Sequence, residues 1–271
     1  MFAETDQSIL PKRTVPLVPQ RGWLEFLDAV AECRTIRNVA VSGLQLLESR
    51  AFQEALRARG LVPVHALNPL GAEAERYLFE HDGALRSKLV SQWVRVLNQL
   101  AEFGVQSTAM ELGLDRIEAD RTEAQVQLRI ATLKYVISCF RSPLTIACRL
   151  RCPRNFPSSK AWECAAEMLQ GVTDSACCLQ LDLFPDEDPG GEEHEKALGA
   201  FHLHSGAVAL HWTPAAGTAF DGDVLQATLK QLRQRGYRGL LVLAPQLRTN
   251  IARFREFVAA METALARQKA G

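Results

Sequence analysis

Apolar residues recur along this chain in two alternating rhythms. Short runs rich in Val, Ile and Leu, such as "RNVAVSG" and "LVPVHALNP", carry no helical spacing and read as buried strands. Between them lie longer stretches in which apolar residues return every three or four positions. Leu85, Leu89, Trp93, Val96 and Leu100 make one such stripe, and Val126, Ile130, Leu133, Ile137 and Phe140 another. In chain order the predicted strands are "TVPLV" (14–18), "RNVAVSG", "LVPVHALNP", "STAMELG", "PLTIACRLRCP", "ACCLQLDLFP", "AFHLHSG" and "GLLVLAP". Helices are predicted in "GWLEFLDAVAECR", in "LQLLESRAFQEALRARG" and between Glu73 and Phe103. Others follow in the Val126–Phe140 stripe, in "SSKAWECAAEMLQG" capped by Ser158 or Ser159, and in "GDVLQATLKQLRQRG". The last carries Ile251, Phe254, Phe257 and Met261. The acidic run "PDEDPGGEEHEK" is expected to be a solvated loop, whose place also suits a lid.

Strands that alternate with helices imply right-handed βαβ units and a parallel sheet. Eight such units in a chain of 271 residues predict closure into a single-domain (β/α)8 TIM barrel of the α/β class. The barrel is expected over residues 13–271, behind a polar tail at 1–12, and no linker divides the chain. An open doubly wound sheet is the structural competitor. It would call for a phosphate loop, and neither GxGxxG nor GxxxxGK[ST] occurs.

Composition narrows the partners. The chain is 47% hydrophobic and 23% charged, with formal net charge zero. It therefore lacks the basic excess that marks nucleic-acid binding. Apolar runs fall short of the roughly 18 residues that suggest a membrane helix, and "MFAETDQSILPKR" has no apolar core for a signal peptide. The seven cysteines are odd in number, lie mostly in apolar segments and form no CxxC pair. Reduced thiols in a cytoplasmic protein are the expectation.

In a barrel of this kind the active site forms at the C-terminal ends of the strands. The polar residues expected there are His65, Glu111, Arg149, Arg151, Asp182, His202 and His204. His202 and His204 would share a face if "AFHLHSG" is a strand, because side chains alternate with period two.

The stretch "AFHLHSG…GTAFDGDVLQATLKQLRQRGYRGLLVL" resembles the end of the xylose-isomerase-like TIM-barrel superfamily of sugar and sugar-phosphate isomerases and epimerases, which also holds apurinic-site endonucleases. "VHALNP" is similar to that group's third strand and "LQLDLFP" to its Asp-bearing sixth strand, so the likeness runs from about Asn38 to Gln246. It implies a metal held by a Glu after the fifth strand, an Asp after the sixth, a His on the seventh and a Glu after the eighth. Asp182 matches the Asp and His202 the His. Arg149 and Arg151 stand where the fifth-strand Glu would be, and Ala244 on or beside the eighth-strand Glu. Pro185 replaces a His that often follows the Asp. The ligand set is thus degenerate.

Two readings of the mouth stay open. His65, Asp182 and His202, with Glu111, form a ligand set acceptable to one divalent ion, Mn²⁺, Zn²⁺ or Mg²⁺. The other reading is a hydrogen-bonded polar pocket with no metal at all. Proton transfer next to a carbonyl would fall to Glu111 and Asp182, while Arg149, Arg151 and His204 would meet a carbohydrate-like or anionic small molecule. Glu111 could equally be an ion-pair partner of Arg149 or Arg151. His211, in "ALHWTP", is expected to be a loop histidine packed by Trp212. The function implied is a sugar or sugar-phosphate isomerase or epimerase. Its rival is a non-catalytic barrel that binds a small ligand or a protein partner, and a homo-oligomer is compatible with either. Nuclease activity would need several metals and a basic groove, and neither is evident in the sequence.

Overall fold

The computed structural model describes residues 13–18, 20, 22–33, 36–71, 74–75, 78–79, 83–113, 122–140, 143–152, 159–172, 176–184, 192–201, 204–212, 222–245 and 250–270. Eight strands form one parallel sheet: β1 (Arg13–Pro16), β2 (Asn38–Ser42), β3 (Val62–Leu67), β4 (Ser107–Glu111), β5 (Thr145–Cys152), β6 (Cys177–Leu183), β7 (Ser205–Trp212) and β8 (Leu240–Pro245). Their order is β1-β8-β7-β6-β5-β4-β3-β2. The ring closes just beyond β1, where Leu17 bridges Ala40 and Val18 N–H donates to the Ala40 carbonyl at 2.9 Å. The chain is the single (β/α)8 barrel that its alternating pattern predicts.

The helices packed outside are α1 (Trp23–Ala31), α2 (Gly43–Glu48), α3 (Arg50–Ala58), α4 (Gly83–Glu102), α5 (Thr122–Cys139), α6 (Ser159–Val172), α7 (Glu192–Phe201), α8 (Gly222–Gln234) and α9 (Ile251–Ala270). Their apolar stripes meet the outward strand residues. Trp93, Leu97, Leu133, Met168 and Phe257 belong to one buried cluster with Val39, Ile146, Leu150, Leu181 and Leu241. An edge-to-face contact between Phe26 and Phe254, 4.8 Å between ring centroids, joins α1 to α9 and so ties the two ends of the ring. Inward positions are filled by smaller residues, Val15, Ala40, Val64, Ala209 and Val242 in one cluster and Leu67, Ala109 and Ala147 in another. The alanines leave room inside the ring for long polar side chains. Among the described residues no helix is long and apolar enough to cross a membrane.

Two expectations need correction. The single helix read in "LQLLESRAFQEALRARG" is two, α2 and α3, divided at Ser49. That residue is extended, and its side chain accepts the Phe52 N–H, just as Ser42 accepts the Gln45 N–H to start α2. Serine oxygens compete for backbone donors, which favours a new cap over continuation.

The second correction moves the seventh strand. "AFHLHSG" was expected to be it, and "EEHEK" to be loop. Instead α7 runs through "EEHEKALGAF", and β7 is "SGAVALHW". His194, Ala197, Leu198 and Phe201 are all buried, the i, i+3, i+4, i+7 spacing of a packed helix. Ala207 to His211 are buried without a break, as expected for a strand covered on both faces. Residues 1–12, Ser158, Pro185, His202 and Asp221 lie outside the described residues, as does the first part of the acidic run.

Candidate functional site

The strand register brings one polar group after another to the C-terminal rim. Glu111 is the last residue of β4 and pairs with Arg149 on β5, Asp182 on β6 pairs with Ala209 on β7, and His211 on β7 pairs with Ala244 on β8. Asp182 is fully buried. Arg149 donates to its Oδ2 from Nε at 2.9 Å and from Nη2 at 2.5 Å. The remaining nitrogen, Nη1, makes longer contacts, to Asn68 Oδ1 at 3.2 Å and to Glu111 Oε1 at 3.4 Å. Asp182 Oδ1 accepts from Gln180 Nε2 at 2.7 Å. Burial alone would raise the Asp182 carboxyl, but the Arg149 charge, with His211 and Gln180, holds it well below the usual carboxylate range. The Arg149 guanidinium is buried at some cost to its charge, and Asp182 and Glu111 more than offset that, so its pKa rises.

One layer deeper, His65 is fully buried. Its Nδ1 lies 2.7 Å from Ser107 Oγ and its Nε2 2.8 Å from Gln180 Oε1, so both ring nitrogens are occupied. Gln180 has its amide nitrogen on Asp182, which leaves Oε1 to accept from His65; His65 then donates through Nε2 and accepts from Ser107. Burial pushes the imidazole down to about 4, so it is neutral. A continuous chain of hydrogen bonds thus crosses the barrel from Ser107 through His65, Gln180, Asp182 and Arg149 to Asn68.

Ser107 and Gln180 escaped the sequence reading, and so did three further participants. Glu75, almost fully buried between β3 and α4, accepts the backbone N–H of Leu70 at 3.3 Å and that of Glu111 at 3.0 Å. Burial raises its carboxyl to about 8 despite those two donors. Asn68 follows β3 with φ of 47°, a left-handed conformation, and so turns its amide toward Arg149. Nothing in the sequence marks Glu75, whereas the "HALNP" turn could have marked Asn68. His211 is the third. Expected in a loop against Trp212, it lies on β7 and is buried, stacked on Phe184 at 4.6 Å between centroids. Its Nε2 comes to 3.4 Å from Asp182 Oδ1, close enough for electrostatic contact but not aligned as a hydrogen bond. The placing of the seventh strand hid it.

The mouth therefore gathers Glu111, Arg149 and Asp182, with His65 beneath them. Arg151 lies on β5 in register with Asp182, and its side chain is outside the described residues. His204 is exposed just before β7 begins, at the end of the ring away from the rim. Among the described residues no cysteine forms a disulfide, and burial pushes Cys178 up to about 12, which leaves it unreactive.

A divalent metal fits these residues poorly. Both oxygens of Asp182 are engaged, both nitrogens of His65 are engaged, and the β8 position facing His211 is Ala244, which offers no donor. Among the described residues no three His, Cys, Asp or Glu side chains are grouped to hold a metal ion.

No family model matches the chain, and no curated protein matches it in sequence. Solved structures do share its fold. D-psicose 3-epimerase from Clostridium cellulolyticum H10, solved with D-tagatose, is 13% identical and superposes with a TM-score of 0.63 over 96% of this chain and 98% of that one. A xylose isomerase domain protein from Planctomyces limnophilus is 15% identical, TM-score 0.64, covering 96% and 98%. The IolI protein, whose structure holds a zinc atom, is 12% identical, TM-score 0.58, covering 90% and 91%. The motifs that resemble the xylose-isomerase-like group thus sit in a barrel of the same fold.

Proposed function

We propose that the mouth binds a carbohydrate-like aldehyde or ketone and moves a proton on the carbon next to its carbonyl, as sugar isomerases and epimerases do. The observation that carries this reading is the pairing of Glu111 with Arg149 at the rim. A carboxylate with 28% of its side chain exposed sits beside a guanidinium whose Nη1 is held only by long contacts. The epimerase that shares the fold supports the substrate class.

The Glu111 carboxylate takes the proton from carbon, and the C–H electron pair becomes the carbon–carbon double bond of an enediolate. Negative charge moves to the former carbonyl oxygen, which accepts from Arg149 Nη1. Return of the proton by Glu111 to the neighbouring carbon, with the hydroxyl proton passing from one oxygen to the other, gives an isomer; an epimer requires water to deliver the proton from the opposite face. Asp182, ionised and turned inward, holds Arg149 in place rather than carrying the proton. No role falls to His204.

The test is deuterium exchange. Ketohexoses and ketopentoses incubated with the protein in D₂O should gain deuterium at the carbon beside the carbonyl, read by NMR. Glu111→Gln should slow that exchange by about 10²–10⁴-fold, the usual worth of a positioned acid–base group. No exchange across the panel would overturn the proposal.

A further inference from the structure

Three oxygen donors from three segments converge on one side chain. Asp182 Oδ2 on β6 takes Nε and Nη2 of Arg149, while Asn68 Oδ1 beyond β3 and Glu111 Oε1 at the end of β4 both take Nη1. Hard oxygen donors brought together from separate strand ends suit a cation. Here the cation in their midst belongs to β5 itself. We infer that Arg149 is the resident cation of this mouth, a tethered guanidinium that satisfies its donors, and that the centre keeps its charge balance without a divalent metal.

The arrangement is that of a planar fork and not of a sphere. One edge of the guanidinium faces a single carboxylate oxygen, and the opposite nitrogen faces the Asn68 and Glu111 oxygens, so the acceptors lie along its edges. A metal approaching Asp182 would have to displace Arg149, whose charge is fixed and repels it. The side chain is 9% exposed, which leaves little room for an ion to enter beside it. Removal of the guanidinium alone should then leave a hole that selects a flat monocation over a divalent ion.

The inference stands apart from the isomerase reading, because none of its measurements uses turnover. Wild-type protein incubated with Mn²⁺ or Zn²⁺ and then desalted should retain substoichiometric metal by elemental analysis. Its melting temperature should be unchanged by EDTA. Arg149→Ala should melt lower, and methylguanidinium should raise its melting temperature at concentrations that leave the wild type unmoved. Mn²⁺ should not do so, and Asp182→Asn added to Arg149→Ala should abolish the rescue. One equivalent of metal retained by the wild type and lost in Asp182→Asn would overturn the inference. So would rescue of Arg149→Ala by Mn²⁺, or no rescue by methylguanidinium. If Arg149→Ala does not fold, the metal content and EDTA response of the wild type decide the matter.

Discussion

Arg149 reaches past its register partner to bind Asp182. On the β5–β6 ladder Arg149 stands opposite Gln180, and Arg151 opposite Asp182, yet both Nε and Nη2 of Arg149 close on Asp182 Oδ2. The side chain therefore slants toward the rim, which frees the layer below for Gln180 and His65. A fully buried carboxylate and a guanidinium 9% exposed make each other tolerable in the interior.

Breaking that pair on one side should be costly. Asp182→Ala leaves the buried Arg149 without its nearest counter-charge, with only the longer Glu111 contact remaining, and should lower unfolding stability by about 3–5 kcal/mol, measured by urea denaturation. The double variant Arg149→Met/Asp182→Leu should recover most of the loss, since no uncompensated charge remains. A loss below about 1 kcal/mol in Asp182→Ala, the range of an exposed pair, would show that the pair is solvated.

His65 should shape the acid limb of stability. Its pKa is about 4 when folded against 6.5 for the free imidazole. Between those values the unfolded chain binds the proton and the folded chain does not, so stability falls as pH drops from 6.5 toward 4. The loss approaches about 3 kcal/mol at full shift. His65→Gln should flatten stability across that window in a series of denaturation curves; an unchanged slope would refute the assignment.

Glu75 should act in the opposite sense. Its carboxyl is near 8 when folded against 4.5 otherwise, so the folded chain holds a proton that the unfolded chain has released. Stability from this group is full below pH 4.5 and is lost as pH rises through about 8, an effect on the order of a few kcal/mol. Glu75→Gln, which cannot ionise, should remove the decline. Equal slopes for the variant and the wild type between pH 4.5 and 8 would count against a buried, protonated Glu75.

Asn68 separates backbone from side chain. Asn68→Gly keeps the left-handed turn at φ of 47° but loses the acceptor on Arg149 Nη1, whereas Asn68→Ala loses both. The alanine variant should be less stable than the glycine variant by about 1–2 kcal/mol, the cost of a left-handed conformation for an ordinary residue. Both variants should slow any deuterium exchange at the Arg149 site. Equal stability of the two would mean that the turn relaxes without strain.

Much of the rim was legible in the chain. Strand alternation placed Glu111, Arg149 and Asp182 at successive C-terminal ends, whereas Gln180, on the same face as Asp182 by the period of two in "LQLD", was passed over. His211 was not legible, because "FHLH" imitates a strand while the true strand "SGAVALHW" is an apolar run with no alternation to mark it. Glu75 was hidden for another reason. Its partners are backbone donors of Leu70 and Glu111, and a backbone N–H carries no signature in sequence.

The sequence by itself determined the eightfold alternation, the closure into a barrel and which strand ends carry charge, because periodicity and burial are local properties of the chain. Tertiary structure alone decided that Arg149 closes on Asp182, that His65 is neutral, and that Glu75 binds the Glu111 backbone. Those outcomes depend on distances between strands far apart in sequence and on the exclusion of water from between them.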